Sequence, residues 1–301
     1  MGPVSGQQIM YVYTDHNFLL NCIGNATWRN AVINAHRSSR ITVVLSAWHF
    51  YEYANGAAYP DTEDLIQFAE ALEPMWILER ADLQLHEFVA VWNAIWDGAP
   101  LDFNPIHSLA EASAILNRVP VERMARYTIR DYVQSFSAPG ALDEIRAVMK
   151  AQTEVARSNL DSYLNDKRWS SVYPLTELMY VAVQVARLKS HRPATVYTVA
   201  NELLRQQPIA TQIECFAYWR CTELLKAYKT EVAFTLDLYP NRASLDGNRQ
   251  IDRCHAIPAL SYCDTFVTDD GDLTKRCIRV KPQLRFPTAK VITIADFMGS
   301  L

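Results

Sequence analysis

Four carboxylates stand where a sheet could gather them: Asp15, Glu52, Asp252 and Asp270. Each lies close to a short β-prone run. Asp15 ends the run Ile9 to Thr14, Glu52 follows Ile41 to Leu45 by two helical turns at most, and Asp252 and Asp270 flank Thr265-Phe266-Val267. In an open parallel sheet, ligands collect outside the carboxyl ends of the strands. Acids scattered over the chain can therefore meet at that one edge. Buried together without compensation they would take up protons and become neutral. A hard divalent ion, Mg2+ or Mn2+, removes that penalty and needs oxygen ligands from several chain positions. Such an ion lowers the pKa of an attacking water and stabilises charge on a scissile phosphate and its leaving oxygen. The four acids come without a base and without a nucleophilic Ser or Cys, so metal-assisted phosphodiester hydrolysis is expected over a covalent route.

Each residue also has a plainer reading. Asp15 begins a helix and reads, alone, as an N-cap. Glu52 sits among Trp48, Phe50, Tyr51 and Tyr53 and reads equally as one half of a buried ion pair. Three of the seven histidines neighbour the acids: His16 follows Asp15, His49 lies three before Glu52, and His255 lies three after Asp252. Residues three apart share a helix face. These histidines either line the site and touch a phosphate or serve as hydrogen-bonded core. Cys254, His255 and Cys263 are too irregularly spaced for structural zinc. Lys275, Arg276, Arg279, Lys281, Arg285 and Lys290 form an acid-free basic run just past Asp270, and Arg253 adjoins Asp252. On a chain of net charge −4 this local excess is either a nucleic-acid footprint or a solvated face.

The elements that must position these residues follow from hydrophobic periodicity. Strands are expected at 9–14, 41–45, 75–78, 265–267 and 290–294, with helices after most of them and an acidic helix start at Asp61-Thr-Glu-Asp64. Leu236 to Asn248 reads as a loop. From 101 to 240 every segment has helical period, punctuated by prolines, and no strand pattern intervenes. The expected fold is α/β, a parallel sheet flanked by helices. Residues 9–98 and 241–301 form the two halves of one domain, and 99–240 is an all-α insertion. Half of the 301 residues are hydrophobic and 21% are charged, a globular composition. The six cysteines form no CxxC pair and no signal-peptide pattern opens the chain, so reduced thiols in a cytoplasmic protein are expected. No apolar run is long enough to span a bilayer. No GxGxxG or GxxxxGK[ST] motif suggests a nucleotide-binding doubly wound domain.

The chain resembles the PIN-domain nucleases over roughly 9–60 and 246–297. Thr14-Asp15-His16-Asn17 resembles that family's opening strand and Asp-Thr-Asn. Ser46 through Glu52 to Gly56 resembles its Ser-x5-Glu-x3-Gly, and Asp252 with Thr268-Asp269-Asp270 resembles its third acid and closing Thr-x-Asp. His16 departs from the pattern, where a small hydroxyl residue is usual, and so does the size of the helical middle. The resemblance implies metal ligands Asp15, Glu52, Asp252 and Asp270. It places Asn17 and Thr268 behind them, leaves Asp269 and Asp272 as rivals of Asp270, and leaves Asp264 structural. It implies Mg2+ or Mn2+ and a nucleic-acid substrate, RNA before DNA, met by Lys275, Arg276, Arg279 and Arg253. A homo-oligomer or a protein partner docking on the helical middle is left open. So is a module that binds RNA or a protein without cutting.

Overall fold

The computed structural model describes residues 9–55, 62–80, 82–84, 86–87, 90, 100, 103–117, 119–136, 140–147, 150, 225–241 and 247–301. Within them the chain is an α/β fold. The strands are β1 (Met10–Thr14), β2 (Ile41–Leu45), β3 (Met75–Ile77), β4 (Ile106–His107), β5 (Thr265–Val267) and β6 (Lys290–Ile292). Their order in the sheet is β4-β3-β2-β1-β5-β6, and every neighbouring pair is parallel except β3 with β4.

Central strands covered on both faces must be apolar throughout, and the alternation of side chains sorts these residues into two cores. Val12, Val43, Leu45 and Val267 face one core, while Tyr13, Val44 and Phe266 face the other. The first core is closed by α1 (His16–Gly24), α2 (Ala26–Arg37), α3 (Ala47–Asn55) and α4 (Thr62–Leu72), through Phe18, Val32, Phe50 and Phe68 among others. Three short helices follow β4: α5 (Leu109–Asn117), α6 (Val121–Met124) and α7 (Ile129–Phe136). The second core is closed by α8 (Lys226–Asn241), α9 (Gly247–Tyr262) and α10 (Gly271–Val280), with Phe234, Leu260 and Cys277 pointing inward. The last helix, α11 (Ile294–Ser300), returns Phe297 to the first core. Reciprocal caps set several helix starts: Ser108 with Glu111 before α5, and Thr128 with Asp131 before α7.

Two expectations are corrected. A strand does occur after residue 99: β4 pairs Trp76 with His107 and Ile77 with Ile106. Two residues at a sheet edge carry no alternation to read. The stretch from Leu236 is helical as far as Asn241, because α8 is held to α10 by Asp237, which takes two bonds from Arg279 at 2.7 and 2.8 Å. The described parts of the expected insertion also pack into the α/β cores. Ile129, Tyr132 and Val133 join the first, and Ala227, Ala233 and Phe234 the second. Residues 151–224, the bulk of that expectation, lie outside the described residues. No described helix is long and apolar enough to cross a membrane.

Candidate functional site

The chain runs from β1 outward through β2 and β3, then returns to β5 on the other side of β1. The crevice at a sheet's carboxyl edge opens where the strand order reverses in this way. Asp15 leaves β1 and Thr268 leaves β5 at this point. The Asp15 amide donates to the Val267 carbonyl at 3.0 Å, and the Thr268 hydroxyl donates to Asp15 Oδ2 at 2.7 Å. Asp15 Oδ1 accepts from the Phe18 amide at 3.0 Å, so Asp15 is an N-cap and a crevice residue at once. Thr268 Oγ1 also accepts from the Asp270 amide at 3.1 Å, which fixes the turn into α10.

The turn gives each of the rival acids its own contacts. Asp269 Oδ1 accepts from the Ile294 amide at 2.9 Å and so anchors the start of α11. Asp272 is exposed, with Lys275 3.6 Å away. Asp270 caps α10 through Oδ1, which accepts from the Asp272 and Leu273 amides at 2.8 and 2.7 Å. Asp264 lies at the opposite end of β5 and takes the Tyr11 amide at 2.7 Å, a structural contact. Asn17 is exposed, and its carbonyl accepts from Asn21.

Glu52, on α3, is met by His255, on α9, with Nε2 at 2.9 Å from Oε2. Nδ1 of the same ring lies 2.8 Å from the Tyr13 hydroxyl, which lies 2.7 Å from Ser46 Oγ. An ionised carboxylate only accepts. In the neutral ring Nε2 therefore carries the proton, Nδ1 accepts from Tyr13, and Tyr13 accepts from Ser46. His49 is fully buried. Its Nδ1 takes the Ser46 amide at 3.0 Å, its Nε2 donates to the Thr14 carbonyl at 2.7 Å, and its ring packs edge to face on His255 with centroids 4.8 Å apart. His49 thus holds β1, β2 and His255 in register and does not reach the crevice as an open group. His16 is buried, and the field of Glu52 acts on it.

The acids act on one another. Burial pushes the Asp15 carboxyl up, its bonds from Thr268 and Phe18 pull it back, and Glu52 adds a further upward push. Burial opposes charge on Glu52 too, yet the His255 imidazole beside it holds this carboxyl below its usual range. Burial and the charge of Asp270 push Asp252 up to about 6, against the pull of Arg276 at 3.5 Å; Glu52 adds to the push. All four acids therefore lie in one connected field. Among the described residues, no three His, Cys, Asp or Glu side chains stand close enough to enclose a metal ion. Comparison with protein-family models, with characterised proteins and with solved structures finds no match.

The basic footprint is corrected. Arg276 is buried, faces Asp252, and lies 5.5 Å from the centroid of the Phe234 ring. Arg253 is buried against Glu231 at 3.3 Å, where Arg80 also pairs. Arg279 is taken up by Asp237. These guanidiniums stitch α8, α9 and α10 together because buried carboxylates on those elements require partners. Of the four, Lys275 and Arg279 are exposed, Arg279 paired with Asp237 and Lys275 lying 3.6 Å from Asp272. Cys22, Cys254, Cys263 and Cys277 are buried free thiols. The sequence reading missed Tyr13 and gave Ser46 as the first residue of the Ser-x5-Glu resemblance. The available signal was a tyrosine at a central-strand position facing the same side as Val44 and Phe266, since a buried hydroxyl requires a partner.

Proposed function

We propose that the chain is a PIN-like, metal-dependent nuclease acting on single-stranded nucleic acid, RNA before DNA. The observation that carries this reading is that Asp15 and Thr268 meet at the sheet's reversal point, while Glu52 acts on the protonation of Asp15 and Asp252, and Asp270 on that of Asp252. The donor set fits a hard divalent ion in chemistry, since these are carboxylates, and burial together with the charge of Asp270 keeps Asp252 protonated to about pH 6. Asp15, Glu52, Asp252 and Asp270 would have to draw together to hold it, since among the described residues no three such side chains stand close enough to enclose an ion. Bound there, Mg2+ or Mn2+ would supply a more acidic water and charge stabilisation on the phosphate. The chain's own residues do the positioning. Thr268 orients Asp15 and the Asp270 turn, and His255 orients Glu52 and can exchange a proton with it at Nε2. Lys275 supplies the exposed positive charge.

A second reading has its own support. His255 already meets Glu52 and Arg276 already meets Asp252, which neutralises part of the acidic field without an ion. A PIN-like module that binds RNA or a protein without cutting would look the same. Cleavage of end-labelled single-stranded RNA and DNA with Mn2+, beside Asp15→Asn, separates the two. Cleavage lost on substitution supports the nuclease. Absence of cleavage together with absence of Mn2+ binding by calorimetry supports the second reading.

A further inference from the structure

Helix α3 presents Glu52 to the crevice and two aromatic residues to a separate cleft. Trp48 and Tyr51 line a cavity of about 310 Å3 together with Tyr127, Tyr132, Glu79 and Asn117. The aromatics form two edge-to-face pairs from different elements. Trp48 and Tyr51 have centroids 5.3 Å apart at 79°, and Tyr127 and Tyr132 have centroids 6.3 Å apart at 89°. Tyr51 and Tyr132 are buried, and Tyr132 also meets Phe50 and Trp76, so the rings with surface left for a further flat group are Trp48 and Tyr127. The volume is at the low end of the range for small-molecule sites, and an apolar wall with a few polar groups is their usual lining.

Two polar features lack partners. The Trp48 ring nitrogen is buried and has no hydrogen-bond partner among the described residues. The Glu79 carboxyl is half-buried, and no described residue is seen to donate a hydrogen bond to it. Buried polar groups without partners are rare in native folds, and each calls for an explanation. The cleft is also joined to the crevice. Tyr51 precedes Glu52, and it packs on Ile251, which precedes Asp252. Trp48 and Glu52 are one helical turn apart, a rise of about 6 Å.

We infer that this cleft is a nucleobase pocket, in which a base stacks against the part-exposed Trp48 and Tyr127 rings and presents N–H donors to Glu79. Naming a nucleobase over other flat rings rests on the nuclease reading, because a phosphate at the carboxylates places its neighbouring base at α3. Burial pushes the Glu79 carboxyl up to about 7; above that pH it is ionised and only accepts, so at pH 8 and above a base with two adjacent N–H donors on one edge, guanine, is preferred. Stacking on aromatic side chains is tolerant of base identity, and the preference therefore resides in Glu79.

The test is calorimetry on the full chain in EDTA at pH 8, with the four nucleoside 5′-monophosphates as probes and tetramethylammonium as a control for an aromatic cage that takes cations. GMP is expected to bind more tightly than AMP, CMP and UMP. Glu79→Gln should weaken GMP at least tenfold and leave AMP unchanged, and Trp48→Leu should weaken all four. The inference is overturned if no nucleotide binds at millimolar concentration, if Glu79→Gln leaves the order of affinities unchanged, or if tetramethylammonium binds in place of the nucleotides. Glu79→Gln keeps the shape of the side chain, so it decides the question even where Trp48→Leu fails to fold. Nucleotide binding in EDTA without Mn2+-dependent cleavage would sink the nuclease reading and leave the pocket standing. Cleavage without nucleotide binding would do the reverse.

Discussion

At the scale of single residues, the buried line Ser46, Tyr13, His255 and Glu52 makes the sharpest claims. Tyr13→Phe removes the hydroxyl that joins Ser46 to His255 Nδ1. It should cost about 1–2 kcal/mol, the usual penalty for a buried group that loses its partner. His255→Ala should cost more, because Tyr13 and Glu52 both lose their partner. Urea unfolding of the two variants and of the double variant should give losses that fail to add, since the residues form one network. Asp252 makes a claim about pH. Its folded pKa, about 6, lies above the ordinary carboxylate value of 3.8. Between those values the folded chain keeps a proton that the unfolded chain has released, so stability falls as pH rises through that window. Asp252→Asn should flatten the fall. The full shift is worth about 3 kcal/mol, and because Arg276 loses its charged partner the net gain at pH 7 should be on the order of 1 kcal/mol. Unfolding curves at pH 4 and pH 7 read this directly. If the nuclease reading holds, Mn2+ affinity should rise over the same window, as the ion competes with the Asp252 proton.

At the scale of elements, Glu87 ties the helix that carries it to α8. Its carboxylate takes the Ala227 and Tyr228 amides at 3.1 and 3.4 Å and the Tyr262 hydroxyl, and burial pushes it up to about 7. Glu87→Ala should cost about 2–3 kcal/mol, because it leaves a helix start and a buried phenol unpaired. Glu87→Gln should cost less than Glu87→Ala, and its cost should shrink as pH rises from 4.5 to 7, because the native carboxyl keeps there a proton that the unfolded chain has released while the amide does not titrate; urea unfolding across that range reads it. The strands were legible where both periodicity and burial were strong. Ile41 to Leu45 reads as a strand covered on both faces, and it is one. Thr62 to Leu72 reads as a helix from its acidic start and apolar stripe, and its bounds are as expected. β4 was not legible, because two edge residues fill no period, and the end of α8 was not, because Arg279 of α10 holds its Asp237 from another element. Within the site, Asp15 was legible from its place at a strand end, and Thr268 from the Thr-x-Asp resemblance; the two meet in a hydrogen bond. Arg253, Arg276 and Arg279 were misread, because a run of basic residues says nothing about which of them face buried acids.

At the scale of the whole molecule, β1 sits between partners that lie far apart along the chain. Residues 41–45 pair with one of its edges and residues 265–267 with the other. The catalytic reading needs both edges intact, since Asp15 follows β1 while Thr268 and Asp270 follow β5. The two cores also lie on opposite faces of the same strands, so neither can open without exposing the sheet that the other covers. Local opening is confined to units with few buried contacts. The amides of Tyr13 and Phe266, more than 250 residues apart in sequence, should therefore exchange with solvent through one shared opening of the same free energy. The amides of Ile106 and His107, on the two-residue edge strand, should exchange sooner. Hydrogen exchange followed by mass spectrometry on peptides spanning these residues distinguishes the cases. Earlier exchange at Phe266 than at Tyr13 would mean that the C-terminal segment separates from β1 by itself, and that the crevice between Asp15 and Thr268 is not a fixed feature of the fold.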